Sequence, residues 1–138
     1  DTAKPTSEWL CHRKLQEINK NTNVSCLLHT HPTEVIALSH TSVFQNNKKY
    51  PQRLNEYLFE VLPEIQLFLP QGIAVVDYAP PGTLELAEKS CESIQDKQAL
   101  IWEKHGLLVL AENIDIALDL TEVINKAAKL LLIKGRKN

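Results

Sequence analysis

Apolar positions recur along this chain with two spacings, and the spacing divides it into helices and strands. Trp9, Leu10, Leu15 and Ile18 recur at helical intervals behind Thr6 and Ser7, which predicts an N-capped helix running to about Asn19. The Asn-rich run NKNTN ends it. Residues 24–31 (VSCLLHTH) are short, apolar and bounded by that turn and Pro32, the signature of a buried strand. Pro32 suits the first turn of a following helix over residues 32–40. Residues 43–49 are polar and read as a loop. Pro51 then opens a helix through Leu54, Tyr57, Leu58 and Val61 that stops near Pro63 and leaves Glu64 close to its end.

The second half repeats the alternation. Gln71 and Gly72 precede an apolar run over residues 73–79, expected to be a strand closed by Pro80, Pro81 and Gly82, and Thr83 caps a helix reaching about Gln95. Residues 99–102 and 107–111 are strand-like and separated only by Glu103, Lys104, His105 and Gly106, so a tight bend is expected there. Asn113 caps a long amphipathic helix ending at Gly135. Short strands interleaved with helices, the last two strands joined directly, predict one α/β layered domain over residues 1–138 with a partly antiparallel sheet.

Composition narrows the function classes. At 138 residues with 43% hydrophobic content, the chain can build one real core. A formal charge of −2 and the absence of a long Lys/Arg stripe exclude the electrostatic footprint of a nucleic-acid or acidic-lipid binder. No apolar run approaches the roughly 18 residues needed to span a bilayer, and a soluble cytoplasmic protein is expected. Cys11, Cys26 and Cys91 are odd in number, widely spaced and without a CxxC pair, which predicts reduced thiols. The sequence starts at Asp1, has no methionine and reaches a helix start within a few residues, so a natural chain that begins further upstream is expected.

Candidate chemistry centres on histidine. Residues two apart on a strand face the same side, so His29 and His31 project together while Thr30 points away. Such a pair is a two-point metal clamp. A catalytic zinc ion takes three protein ligands and keeps one position open, and His105 at the bend is the best third candidate. On spacing alone, an HxH pair is also compatible with ordinary surface histidines. His12, in a charged helical stretch, and His40, at a helix end where a cation meets the dipole favourably, are assigned to no site. By the same physics Glu8 reads as a first-turn carboxylate and Glu64 as a solvated loop acid.

Taken together, the segments PTSE (5–8), HTHPTEVIAL (29–38), PEIQLFLPQGI (63–73), PPGT (80–83) and KHG (104–106) resemble the class II aldolase/adducin family, and most closely its rhamnulose-1-phosphate aldolases. The resemblance extends over nearly the whole chain. It implies a three-layer αβα domain with a mixed, largely antiparallel sheet. It implies a zinc ion on His29, His31 and His105, Glu8 as general base, and Thr6 and Ser7 as hydroxyls on the substrate phosphate, in keeping with the affinity of a helix N-terminus for anions. Glu64 matches an acid supplied across a subunit interface. The implied reaction is reversible cleavage of a ketose 1-phosphate to dihydroxyacetone phosphate and lactaldehyde through a metal-stabilised enediolate, in a homotetramer, with a sugar phosphate as the small-molecule partner.

The pattern also departs from the family. Members carry, before PTSE, a region with a Gly/Asn-rich turn and a Ser/Gly loop that cradle the phosphate, and this chain has only Gly72, Gly82, Gly106 and Gly135. The expectation is an N-terminally incomplete domain that binds metal with impaired activity. Two other classes compete. A fuculose-phosphate aldolase or ribulose-phosphate 4-epimerase shares the three histidines, although the epimerases rely on further acid, His and Tyr residues and no His follows His105. A non-catalytic adducin-like assembly module typically loses the histidines that are kept here.

Overall fold

The structure, a computed structural model, describes residues 2–135. The elements are α1 (Trp9–Ile18), β1 (Cys26–Thr30), α2 (Thr33–Ser39), α3 (Ser42–Asn47), α4 (Pro51–Val61), α5 (Ile65–Phe68), β2 (Ala74–Val76), α6 (Leu84–Ile94), β3 (Ala99–Trp102), β4 (Gly106–Ala111) and α7 (Ile114–Gly135). The strands form one sheet in the order β1-β4-β3-β2. Its β1/β4 and β4/β3 pairs are antiparallel and its β3/β2 pair is parallel, the mixed, largely antiparallel arrangement expected.

β3 and β4 are buried at every position, which explains why they read as continuous apolar runs rather than alternating ones. One sheet face carries Val75, Ile101, Leu107 and Val109 and packs on Val35, Leu54, Ile65 and Ile124 from α2, α4, α5 and α7. The other carries Val76, Leu100, Trp102, Leu108 and Leu110 and packs on Cys11 and Leu15 of α1 and Leu86 and Ala87 of α6. The result is three layers. α7 supplies most of one outer layer because Ala117, Leu120, Thr121, Ile124, Ala128 and Leu131 fall on a single stripe. The buried Thr121 hydroxyl on that stripe donates to the Ala117 carbonyl at 2.8 Å, so it does not interrupt the packing. Among the described residues, no helix is long and apolar enough to cross a membrane.

Several boundaries differ from expectation for local reasons. The expected loop over residues 43–49 contains α3, whose N-terminus is capped by Thr41 accepting from the Phe44 amide and whose Phe44 is fully buried. A single aromatic among polar neighbours leaves no periodicity to detect. Thr6 and Ser7 do not cap α1. Glu8 occupies that position, makes no side-chain cap bond and turns inward at 4% exposure. The strand expected over residues 73–79 pairs only at Ala74–Val76; past it, the Tyr78 amide donates to the Glu103 carboxylate at 3.0 Å rather than to a neighbouring strand. Thr83 and Asn113 cap α6 and α7 as predicted.

Candidate metal centre

Strand alternation sets the first histidine. His29 pairs with Leu108, so its side chain shares the α1/α6 face with Leu27 and Leu110, while Leu28 and Thr30 turn the other way. His31 lies one residue past the last paired position, and its Nε2 stands 3.0 Å from His29 Nε2. The chain beyond it is pinned by α7. Asn125 Oδ1 accepts from the Val35 amide at 3.3 Å, and Asn125 Nδ2 donates to Glu34 at 2.9 Å, fixing the start of α2.

His105 arrives from the bend. Trp102 pairs with Gly106 across three residues, the His105 amide donates to Trp102 O at 3.0 Å, and Lys104 takes a left-handed φ of 58°. Gly106 permits the close approach. A Cβ there would sit 2.4 Å from Thr30 O and 2.9 Å from the His31 ring. The three imidazole centroids lie 4.7, 5.0 and 5.2 Å apart, and one ligand atom from each falls within 4.8 Å of the others.

These residues fit a metal. Metal–nitrogen bonds of about 2.0–2.1 Å put tetrahedral ligand nitrogens about 3.3 Å apart, near the His29–His31 spacing. The Leu107 carbonyl can only accept, so the 2.9 Å contact from His29 Nδ1 places the proton on that nitrogen and leaves Nε2 as the electron-pair donor. Burial pushes the His29 pKa down to about 4, opposed by the Leu107 bond and reinforced by the neighbouring imidazoles. Burial lowers His105 as well, against the pull of Glu8. In both rings burial favours the uncharged form, the form that can donate an electron pair to a metal. Glu8 Oε1 lies 3.9 Å from His105 Nε2, and both Glu8 Oε1 and His105 Nδ1 are buried without a hydrogen-bond partner. Orphaned buried polar atoms are costly, and their placement beside three imidazoles suits an ion or a polar substrate.

The sequence-derived candidates thus divide. His29, His31, His105 and Glu8 converge. Thr6 and Ser7 are exposed just before α1, with Thr6 Oγ1 accepting from the Glu8 amide at 3.3 Å. The PPGT loop packs against them: Gly82, at φ 75°, comes so close that a Cβ would sit 3.0 Å from Ser7 O. Glu64 is elsewhere, in the α4/α5/α7 layer on the opposite sheet face, exposed and 4.0 Å from Lys126 Nζ. His12 and His40 stay outside the cluster.

Sequence reasoning missed the groups that support this cluster. Trp102, 1% exposed, anchors its Nε1 to Ser90 Oγ at 2.8 Å and lays its ring 4.5 Å from His29 and 4.9 Å from His105. Its signal was a lone aromatic in an aliphatic strand, three residues before His105. Glu103, 4% exposed, accepts from Gln45 Nε2, Lys48 Nζ and the Tyr78 amide. Burial raises its carboxyl pKa, but these donors outweigh burial and hold it below the usual carboxylate range. An acid inside an apolar stretch was its signal.

The sequence matches the family described as Class II Aldolase and Adducin N-terminal domain over residues 1–132. The chain belongs to that family. Among curated relatives of this class II aldolase/adducin domain, a rhamnulose-1-phosphate aldolase of Bacteroides thetaiotaomicron is 31% identical over 134 residues, covering 96% of this chain and 48% of the relative. An L-fuculose phosphate aldolase of Methanococcus vannielii is 36% identical over 128 residues, covering 93% of this chain and 61% of the relative. A sugar-phosphate aldolase from Thermotoga maritima superposes with a TM-score of 0.82 at 33% identity, over 95% of this chain and 54% of that one. The chain spans about half the length of the rhamnulose-1-phosphate aldolases it matches.

Proposed function

We propose that the protein is a zinc-dependent class II aldolase that reversibly cleaves rhamnulose 1-phosphate to dihydroxyacetone phosphate and lactaldehyde. The observation that carries this reading is the convergence of three imidazoles with a buried carboxylate, Glu8, whose Oε1 lacks a partner. His29, His31 and His105 hold the ion. When bound, the ion supplies Lewis-acid stabilisation of the negative charge that develops on the substrate oxygens.

The remaining steps belong to side chains. Glu8 takes the proton from the carbon beside the ketone in the synthesis direction and returns it to that carbon in cleavage. Cleavage also requires the C4 hydroxyl to lose its proton as the C3–C4 bond breaks and its electron pair moves toward the ketone oxygen. Glu64 takes that proton, and in synthesis it protonates the aldehyde oxygen. Because Glu64 sits on the opposite face of the sheet from Glu8, it serves this site only from a neighbouring copy, as in a homotetramer. Thr6 and Ser7, at the N-terminal end of α1, bind the phosphate. No lysine Schiff base takes part, and the reading places the protein in the cytoplasm.

A second reading has its own support, since the fuculose-phosphate aldolase relative is 36% identical. The PTSE and Pro63-Glu64 segments favour the rhamnulose type. Product analysis with rhamnulose 1-phosphate, fuculose 1-phosphate and ribulose 5-phosphate separates the readings. Release of dihydroxyacetone phosphate and lactaldehyde fastest from rhamnulose 1-phosphate is expected. Formation of an epimer without released aldehyde overturns the aldolase reading, and a folded protein that retains no divalent ion points to an assembly module.

A further inference from the structure

We propose that Glu103 is a positioning residue, a buried clasp that fixes both His105 and the loop lying against the Thr6–Glu8 segment. The inference rests on the metal-centre reading for its functional meaning and on separate geometry for its existence. Glu103 sits at the first position of the three-residue bend that delivers His105, with its carboxylate turned into the protein at 4% exposure. Lys48 Nζ reaches both carboxylate oxygens at 3.1 Å, Gln45 Nε2 donates at 2.8 Å, and the Tyr78 amide donates at 3.0 Å. The charge is thus paired and hydrogen-bonded from α3 on one side and from the end of β2 on the other.

The rest of the bend is held by the same group of residues. Lys104, in its left-handed conformation, donates its amide to Ser39 Oγ at 2.9 Å, and Ser39 Oγ donates to Ile36 O at 2.7 Å. Gln45 Nε2 also donates to Ser39 O at 2.7 Å, joining the C-terminal end of α2 to the carboxylate. Each residue between Trp102 and Gly106 therefore has its backbone amide committed, and the direction of the His105 ring follows from the bend. On the other side, Tyr78 begins the segment that runs through Ala79, Pro80 and Pro81 to Gly82, whose backbone abuts Ser7. One carboxylate ties together the approach of a metal ligand and the wall behind the proposed phosphate hydroxyls. The mechanism itself gives Glu103 no chemistry, which leaves positioning as the use for a charge buried at this place.

The test compares Glu103→Gln, Ser39→Ala and Lys48→Arg with the wild type. Ser39→Ala frees the Lys104 amide while leaving the ion pair intact, so it carries the test if Glu103→Gln fails to fold. Three readouts are taken: zinc affinity by competition with a chromophoric chelator, the visible absorption band of the cobalt-substituted protein, and the His105 ring resonances of the metal-free protein by NMR. Glu103→Gln is expected to weaken zinc binding by about 10- to 100-fold, alter the cobalt band and move the His105 resonances. Ser39→Ala does the same to a smaller extent, and Lys48→Arg, which keeps a cation opposite Glu103, leaves all three close to wild type. Unchanged His105 resonances in folded Glu103→Gln and Ser39→Ala overturn the proposal. So does a loss of affinity that only follows a fall in the metal-free unfolding midpoint, with the cobalt band unaltered. A wild-type protein that binds no ion overturns the metal-centre reading instead, and the metal-free resonances still decide the positioning role.

Discussion

The Glu8 carboxylate and the His105 ring face each other at 3.9 Å, Oε1 to Nε2, in a site where the acid is 4% exposed and Oε1 has no hydrogen-bond partner. A buried carboxylate oxygen without a hydrogen-bond partner costs fold stability. Replacing it with a neutral amide of the same shape removes a buried charge. Glu8→Gln is therefore expected to unfold at the same or a higher temperature than wild type in the presence of a chelator. Its turnover is expected to fall by about 10²- to 10⁴-fold, the usual contribution of a positioned acid–base group. Thermal unfolding and a steady-state cleavage assay on one preparation check both halves.

The histidine triad predicts a stability linkage to the ion. A ligand that binds only the folded state adds about 2.7 kcal/mol at a free concentration a hundred times its dissociation constant. Zinc should raise the melting temperature of the wild type, and this rise should disappear in His29→Ala and in His105→Ala. His29→Ala also removes the bond to the Leu107 carbonyl, so its metal-free form is expected to be the less stable of the two. Differential scanning calorimetry with and without zinc reads both effects.

Gly106 predicts a steric outcome. An alanine Cβ would lie 2.4 Å from Thr30 O, a backbone atom that cannot swing aside, and 2.9 Å from the His31 ring. Gly106→Ala must push β1 away from β4 at the position that sets the spacing of His29 and His31. A loss of about 1–3 kcal/mol is expected, with weaker zinc binding than that loss alone explains. Denaturant titration and chelator competition separate the two contributions.

Cys11 supplies a prediction away from the site. Among the described residues the three cysteines are free thiols, as expected from the sequence, and burial pushes the Cys11 pKa from 9.0 up to about 11, with a hydrogen bond to Ser90 acting against it. A thiol that titrates later in the folded state than in the unfolded chain leaves stability intact below about pH 9. As the pH rises from 9 to 11, the unfolded chain loses its proton first and the fold weakens. Native alkylation with iodoacetamide at pH 8, read by mass spectrometry, should label the half-buried Cys26 and Cys91 well before Cys11.

Legibility from sequence followed the local signals. The strand over residues 26–30, the bend at 103–106 and the caps at Thr83 and Asn113 each carry their cause within a few residues, and each was readable. The HxH spacing predicted a shared face, and the structure places His29 and His31 with nitrogens 3.0 Å apart. Groups that act over long separations were not readable. Phe44 makes α3 a packed helix only because a core lies beneath it, and Trp102 becomes the floor of the cluster only through Ser90, twelve residues earlier. Glu103 gathers donors from Gln45, Lys48 and Tyr78, partners that no spacing rule links. On local spacing Glu8 reads as a first-turn acid, and only the resemblance marks it as a base. Its inward turn depends on the sheet face against which α1 packs.

The most direct measurement is the release of dihydroxyacetone phosphate from rhamnulose 1-phosphate by the protein before chelation, after removal of its metal, and after zinc is restored. Cleavage that is lost on chelation, recovered with zinc, and absent in a His31→Ala variant is the predicted result. Cleavage at an undiminished rate in the fully chelated protein or in that variant would contradict the assignment of His29, His31 and His105 as a catalytic metal centre.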